Sequence, residues 1–128
     1  EKGAYVVNLT SHESNVTLIA SGTEVELALK VQNKLKENNI HSKVVSMPCM
    51  ELFDKQPEDY RKDILEENSL IITLEAGSVM SWQKYIKNKG ANLGIDKFGE
   101  SAPYKEVYKH FKLSEEDITN FIQKKLRE

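Results

Sequence analysis

The chain has 128 residues, 39% hydrophobic and 30% charged, and its 18 basic and 20 acidic side chains leave a formal net charge of −2. That length and composition suit a soluble globular chain, so residues 1–128 are expected to form a single domain. The balanced charge supplies no field to hold a polyanion, which argues against nucleic acid, and no apolar run is long enough to cross a bilayer. The first residues, Glu1-Lys2-Gly3-Ala4-Tyr5, lack the apolar core of a secretion signal. One cysteine, Cys49, cannot form an internal disulfide, which fits a reducing cytoplasm.

Tyr5-Val6-Val7 reads as an edge strand, and the polar stretch 8–15 that follows is too short to hold a crossover helix. An antiparallel neighbour is therefore expected, with the next strand as its partner. That strand is Val16-Thr17-Leu18-Ile19-Ala20, a nearly continuous apolar run expected to be buried on both faces. Ser21-Gly22 breaks it. Thr23 and Glu26 have the spacing of a capping box, and Val25, Ala28, Leu29 and Leu35 follow at helical spacing, with Leu27 and Val31 widening the stripe. Asn38-Asn39 should end this helix. Lys43-Val44-Val45-Ser46-Met47 is the next buried strand, closed by Pro48.

Residues 49–56 are mixed, and Pro57 has the look of a first-turn proline ahead of a helix carrying Tyr60, Ile64 and Leu65. Leu70-Ile71-Ile72-Thr73-Leu74 is the third strong strand, turned off by Glu75-Ala76-Gly77. A helix with Trp82, Tyr85 and Ile86 should follow and stop at Lys89-Gly90, before a weaker strand at Asn92-Leu93-Gly94-Ile95. Phe98-Gly99-Glu100-Ser101-Ala102-Pro103 reads as a loop, with a helix from Pro103 through Phe111. Ser114 caps a last helix whose core face is Ile118, Phe121, Ile122 and Leu126. Strands alternating with helices demand an α/β fold. Three layers are expected, around a mostly parallel sheet whose first strand is antiparallel.

In such a sheet, ligands bind beyond the carboxyl ends of the strands. Ser21-Gly22-Thr23-Glu24 offers a helix N-terminus that suits a phosphate or carboxylate. It has one glycine where a dinucleotide fingerprint needs three, and no Gly-Lys-Ser/Thr. Glu24 adds negative charge where an anion would sit, and capping alone explains Thr23 and Glu26, so the turn reads first as a helix cap. Glu75, Asp96 and Glu100 stand at strand ends without an evident partner base or nucleophile. His12, His41 and His110 share no metal-ligand spacing, and Cys49 has no neighbouring histidine or cysteine. Cys49 reads as a small corner-filling residue, and Trp82 with Tyr85 as packing aromatics. No catalytic residue, cofactor-binding residue or metal ligand is assigned on this reading.

Four segments together resemble the C-terminal domain of transketolase. They are Ile19-Ala20-Ser21-Gly22-Thr23-Glu24-Val25-Glu26-Leu27-Ala28; Val44-Val45-Ser46-Met47-Pro48 with Phe53-Asp54-Lys55-Gln56 and Tyr60-Arg61-Lys62-Asp63-Ile64-Leu65; Glu75-Ala76-Gly77 with Trp82, Lys84 and Tyr85; and Phe98-Gly99-Glu100-Ser101-Ala102-Pro103. The second also separates the chain from pyruvate dehydrogenase β chains and deoxyxylulose-phosphate synthase. The resemblance covers nearly the whole chain.

It implies a three-layer domain with a five-stranded mixed sheet, the last domain of a larger enzyme. That enzyme transfers a two-carbon ketol unit from ketose phosphates to aldose phosphates, using thiamine diphosphate and a divalent cation (Mg or Ca). Its cofactor ligands, activating glutamate and substrate-phosphate arginine lie in the family upstream of what Glu1 begins, so no catalytic residue maps here. The implied partners are the remaining transketolase domains and a second subunit, in a cytoplasmic homodimer. Glu1 in place of methionine fits a fragment of a longer chain. The resemblance adds one local feature: Ser21, Gly22, Thr23 and Glu24 match a family segment at the mouth of the sheet where a regulatory anion site has been suspected. The alternative is a stand-alone regulatory domain that binds a small anion there.

Overall fold

A computed structural model describes residues 2–9, 14–22, 24–66, 69–75, 85, 90–94 and 114–128. The described elements are β1 (Tyr5–Leu9), β2 (Val16–Ala20), α1 (Glu24–Glu37), β3 (Ser42–Ser46), α2 (Met50–Asp54), α3 (Glu58–Leu65), β4 (Leu70–Glu75), β5 (Ala91–Gly94) and α4 (Glu115–Leu126). The strands form a five-stranded sheet in the order β1-β3-β2-β4-β5. β2 runs parallel to both β3 and β4, and β4 parallel to β5.

β1 is antiparallel, as its sequence predicts, but its partner is β3 rather than β2. The strand also runs on through Asn8 and Leu9, which the sequence pattern assigns to a loop. A bulge at Val7 shifts the register, so that Val6 faces Val45 while Asn8 faces Val44.

β2 and β3 are buried at every position, as strands covered on both faces must be. Val16, Leu18, Ala20, Val44, Ile72 and Leu74 pack with Ala28, Val31 and Leu35 of α1 and with Ile118 and Ile122 of α4. The opposite face carries Ile19, Val45, Met47 and Ile71 against Phe53 of α2 and Ile64 and Leu65 of α3. Each of these side chains larger than alanine contributes about 1.5–3 kcal/mol on full burial. The sheet with a helical layer on either face is the three-layer α/β arrangement expected.

Local chemistry sets the helix ends. Asn39 takes φ +61 just past α1, where the sequence predicts the stop. Pro57 is the N-cap of α3 rather than a residue of its first turn. Ser114 caps α4 through a reciprocal box: its Oγ accepts from the Asp117 amide at 3.1 Å and Asp117 Oδ2 accepts from the Ser114 amide at 3.2 Å. The 49–56 stretch, mixed in sequence, contains the one-turn helix α2. The predicted helix around Trp82, the 98–103 loop and the 103–111 helix lie outside the described residues, apart from Tyr85, which is buried.

Candidate functional site

The topology selects one place on the carboxyl-end rim. From β2 the chain crosses to β3 on one side, while β4 leads on to β5 on the other. The sheet winds in opposite senses on either side of the β2–β4 boundary, which is the switch point where α/β sheets hold ligands. The residues there are Ser21 and Gly22 after β2 and Glu75 at the end of β4.

The 21–24 turn is tightly made. The Glu24 amide donates to the Ser21 carbonyl at 3.1 Å, and the Val25 amide to the Gly22 carbonyl at 3.2 Å. Two of the amides that open α1 are thus already engaged within the turn. Gly22 takes φ +59, and a Cβ on it would meet nothing within 4 Å. The Glu24 side chain is buried, adding a carboxylate near this helix start. Thr23, and with it the predicted capping box, lies outside the described residues.

Of the other candidates among the described residues, Glu75 alone stands at this switch point. Cys49 is the N-cap of α2, half-buried, with its amide bonded to the Gly3 carbonyl at 3.2 Å. That is the position of a corner-filling residue. Glu75 pairs in register with Gly94, while Asp96 and Glu100 lie outside the described residues. His41 sits at the opposite end of the sheet, its carbonyl accepting the Asn15 amide at 2.8 Å. His12, His110 and Trp82 are also outside the described residues. Tyr85 is core, as expected, and donates to Asp54 Oδ1 at 2.7 Å. Burial first, then the hydrogen bond to the Asp54 carboxylate and its charge, push the Tyr85 phenol well above its ordinary value.

No group of three or more His, Cys, Asp or Glu able to hold a metal ion exists among the described residues.

Sequence reasoning missed three polar arrangements. Lys43, buried on β3, places its ammonium 2.9 Å from Glu66 Oε1, 2.9 Å from the Asp63 carbonyl and 3.3 Å from the Ile64 carbonyl. It thereby satisfies the C-terminal carbonyls of α3. Glu66 Oε2 in turn accepts the Ser14 amide at 2.6 Å. Gln32 of α1, 1% exposed, bonds both Asn8 and Ser42. The third is an open groove of about 510 Å³ at the far end of the sheet, lined by Asn15, by Asn38, Asn39 and Ile40, and by Gln123, Leu126 and Arg127. A polar residue within an apolar pattern was the only signal for the first two.

The family model "Transketolase-like TK C-terminal domain" matches residues 3–114. The chain is 40% identical to a transketolase of Bacillus subtilis over 125 residues, covering 96% of this chain and 19% of that protein. It is 38% identical to a chloroplastic transketolase of Solanum tuberosum over 120 residues, covering 91% of this chain and 16% of that protein. The crystal structure of transketolase from Campylobacter jejuni superposes with a TM-score of 0.78 at 37% identity, over 96% of this chain and 18% of that one. The chain thus spans less than a fifth of the length of these relatives. With sequence, family model and fold in agreement, the chain belongs to the transketolase C-terminal domain family.

Proposed function

We propose that residues 1–128 form one domain, and that it supports the architecture of a transketolase without catalysing a reaction alone. The parent enzyme, in this reading, transfers a two-carbon ketol unit from a ketose phosphate to an aldose phosphate. Thiamine diphosphate with a divalent cation (Mg or Ca) supplies the carbanion chemistry of that transfer when bound. The groups that hold both belong to the upstream domains, and the partners of this domain are those domains and the second subunit of a homodimer that it helps to support. Family membership is the observation that carries the reading: the match runs through residues 3–114 and the relatives are transketolases. A cytoplasmic location belongs to the same proposal; no helix among the described residues is long and apolar enough to cross a membrane.

The test has two arms. The complete open reading frame should transfer a ketol unit between sugar phosphates when supplied with the cofactor and magnesium, and the 128-residue chain should not. Thiamine diphosphate with magnesium should leave the melting temperature of the 128-residue chain unchanged. A clear rise would place cofactor binding within this domain and sink the reading, because a ligand of the folded state must stabilise it.

A second reading, small-anion binding at Ser21, Gly22, Thr23 and Glu24, is favoured by the position of that turn at the switch point. Phosphate titration followed by NMR decides it. Saturable millimolar shifts confined to residues 21–26 support it, and flat spectra remove it.

A further inference from the structure

The antiparallel register puts Tyr5 opposite Ser46, the last residue of β3, and Leu9 opposite Lys43 near its start. β1 therefore begins at the carboxyl-end rim of the sheet, and the residues before it are pinned to that rim. The Gly3 carbonyl accepts the Cys49 amide at 3.2 Å. A Cβ on Gly3 would stand 2.3 Å from both the Cys49 carbonyl oxygen and the Phe53 amide nitrogen, so the backbone passes directly against the start of α2. Tyr60 Oη donates to the Ala4 carbonyl at 2.9 Å, and the Lys2 ammonium lies 4.6 Å from the centre of the Tyr60 ring. Residues 2–4 form a strap across α2 and α3.

A strap held at three successive residues has no slack. In a polypeptide that carries this domain at its C-terminal end, whatever precedes Lys2 is delivered to the same rim, close to the sheet. That rim presents exposed apolar side chains. Tyr5 is 55% exposed at the start of β1, and Leu52 is 37% exposed on α2. Tethering raises the effective concentration of a preceding domain at this surface, so even a modest apolar contact would be occupied.

We propose that the strap, Tyr5 and Leu52 are the seat of the domain that precedes this one in a full-length transketolase. That domain covers the two side chains with apolar groups of its own, and the strap fixes its angle of approach. The proposal rests on the reading above that the chain is one domain of that longer enzyme.

The experiment uses the full-length protein, with hydrogen exchange read by mass spectrometry over residues 2–6 and 50–54. The expected result is that Y5S/L52K exchanges at least tenfold faster in both segments than wild type. L9K, at the other end of the same strand, should leave both unchanged. Equal exchange in Y5S/L52K and wild type overturns the seat, and so does an equal loss of protection in L9K. A ketol-transfer assay on the wild-type protein separates the two failures. Absent activity removes the functional reading, whereas active enzyme with unaltered exchange removes only the seat.

Discussion

Asn8 and Gln32 hold each other reciprocally across the edge of the sheet. Asn8 Nδ2 donates to Gln32 Oε1 at 3.0 Å, and Gln32 Nε2 donates to the Asn8 carbonyl at 3.3 Å and to the Ser42 carbonyl at 3.1 Å. The bulge at Val7 makes this possible, because it puts Asn8 in register with Val44, whose side chain packs in the core shared with α1. One buried side-chain amide thus joins α1, β1 and β3.

Gln32→Ala should accordingly loosen the edge strand more than its size suggests. It opens a cavity and leaves a buried carbonyl of β3 short of a donor. A loss of about 2 kcal/mol is expected in urea unfolding. Asn8→Ala should cost less, because Asn8 is exposed and water replaces its partner. Equal losses in the two variants would contradict the assigned geometry.

Gly3 and Gly22 separate two reasons for a glycine. Both have positive φ, +88 and +59. Only at Gly3 would a Cβ collide with backbone, at 2.3 Å. Gly22→Ala should cost about 1 kcal/mol, the left-handed penalty alone. Gly3→Ala should cost about 2–4 kcal/mol, because the strap must also move off α2. Thermal melts of the two variants check the order.

The legible part of the fold was local. Val16-Thr17-Leu18-Ile19-Ala20 and Leu70-Ile71-Ile72-Thr73-Leu74 announce buried strands because covering both faces makes nearly every position apolar or β-branched. Ser114 announces a helix start through its own side chain. The partner of β1 was not legible, because pairing with β3 is a choice between distant segments that no short pattern of Tyr5-Val6-Val7 encodes. Gln32 and Lys43 give only a weak signal in the sequence for a related reason. A polar residue signals burial only once its partners are known, and those of Gln32 and Lys43 lie 24 and 20 residues away at Asn8 and Asp63. At the candidate site, sequence located the 21–24 turn at the sheet mouth. It did not reveal that the Glu24 and Val25 amides are spent inside the turn.

Lys43 provides a third test. Its ammonium answers two helix carbonyls and one carboxylate, with a side-chain exposure of 9%. Lys43→Met should cost about 3 kcal/mol, since it strands Glu66 and the end of α3 together. Glu66→Gln weakens the same cluster from the other side and also lessens the hold on the Ser14 amide. The double variant should therefore lose less than the sum of the single losses, by about 1 kcal/mol or more in a double-mutant cycle. Additive losses would mean that the pair contributes nothing beyond its separate contacts.

Stability should also depend on alkaline pH through Tyr85. This residue is 5% exposed, and its hydroxyl donates to Asp54 Oδ1 at 2.7 Å. Ionising it would place a phenolate in a buried site beside a carboxylate, which is why its value rises above the ordinary 10.0. A group whose value is raised on folding binds its proton more tightly in the folded state. Its contribution is complete below the unfolded value and shrinks as pH climbs above it. Stability should thus hold steady through neutral pH and fall from about pH 10 upward, where the unfolded chain releases this proton and the folded chain keeps it. Tyr85→Phe should cost about 1 kcal/mol at pH 7, from the lost bond to Asp54. The same substitution should flatten the alkaline decline, so that the variant and the wild type converge between about pH 10 and 11. Urea unfolding at neutral and alkaline pH reads both effects, and two parallel pH profiles would show that the Tyr85 proton is not coupled to folding.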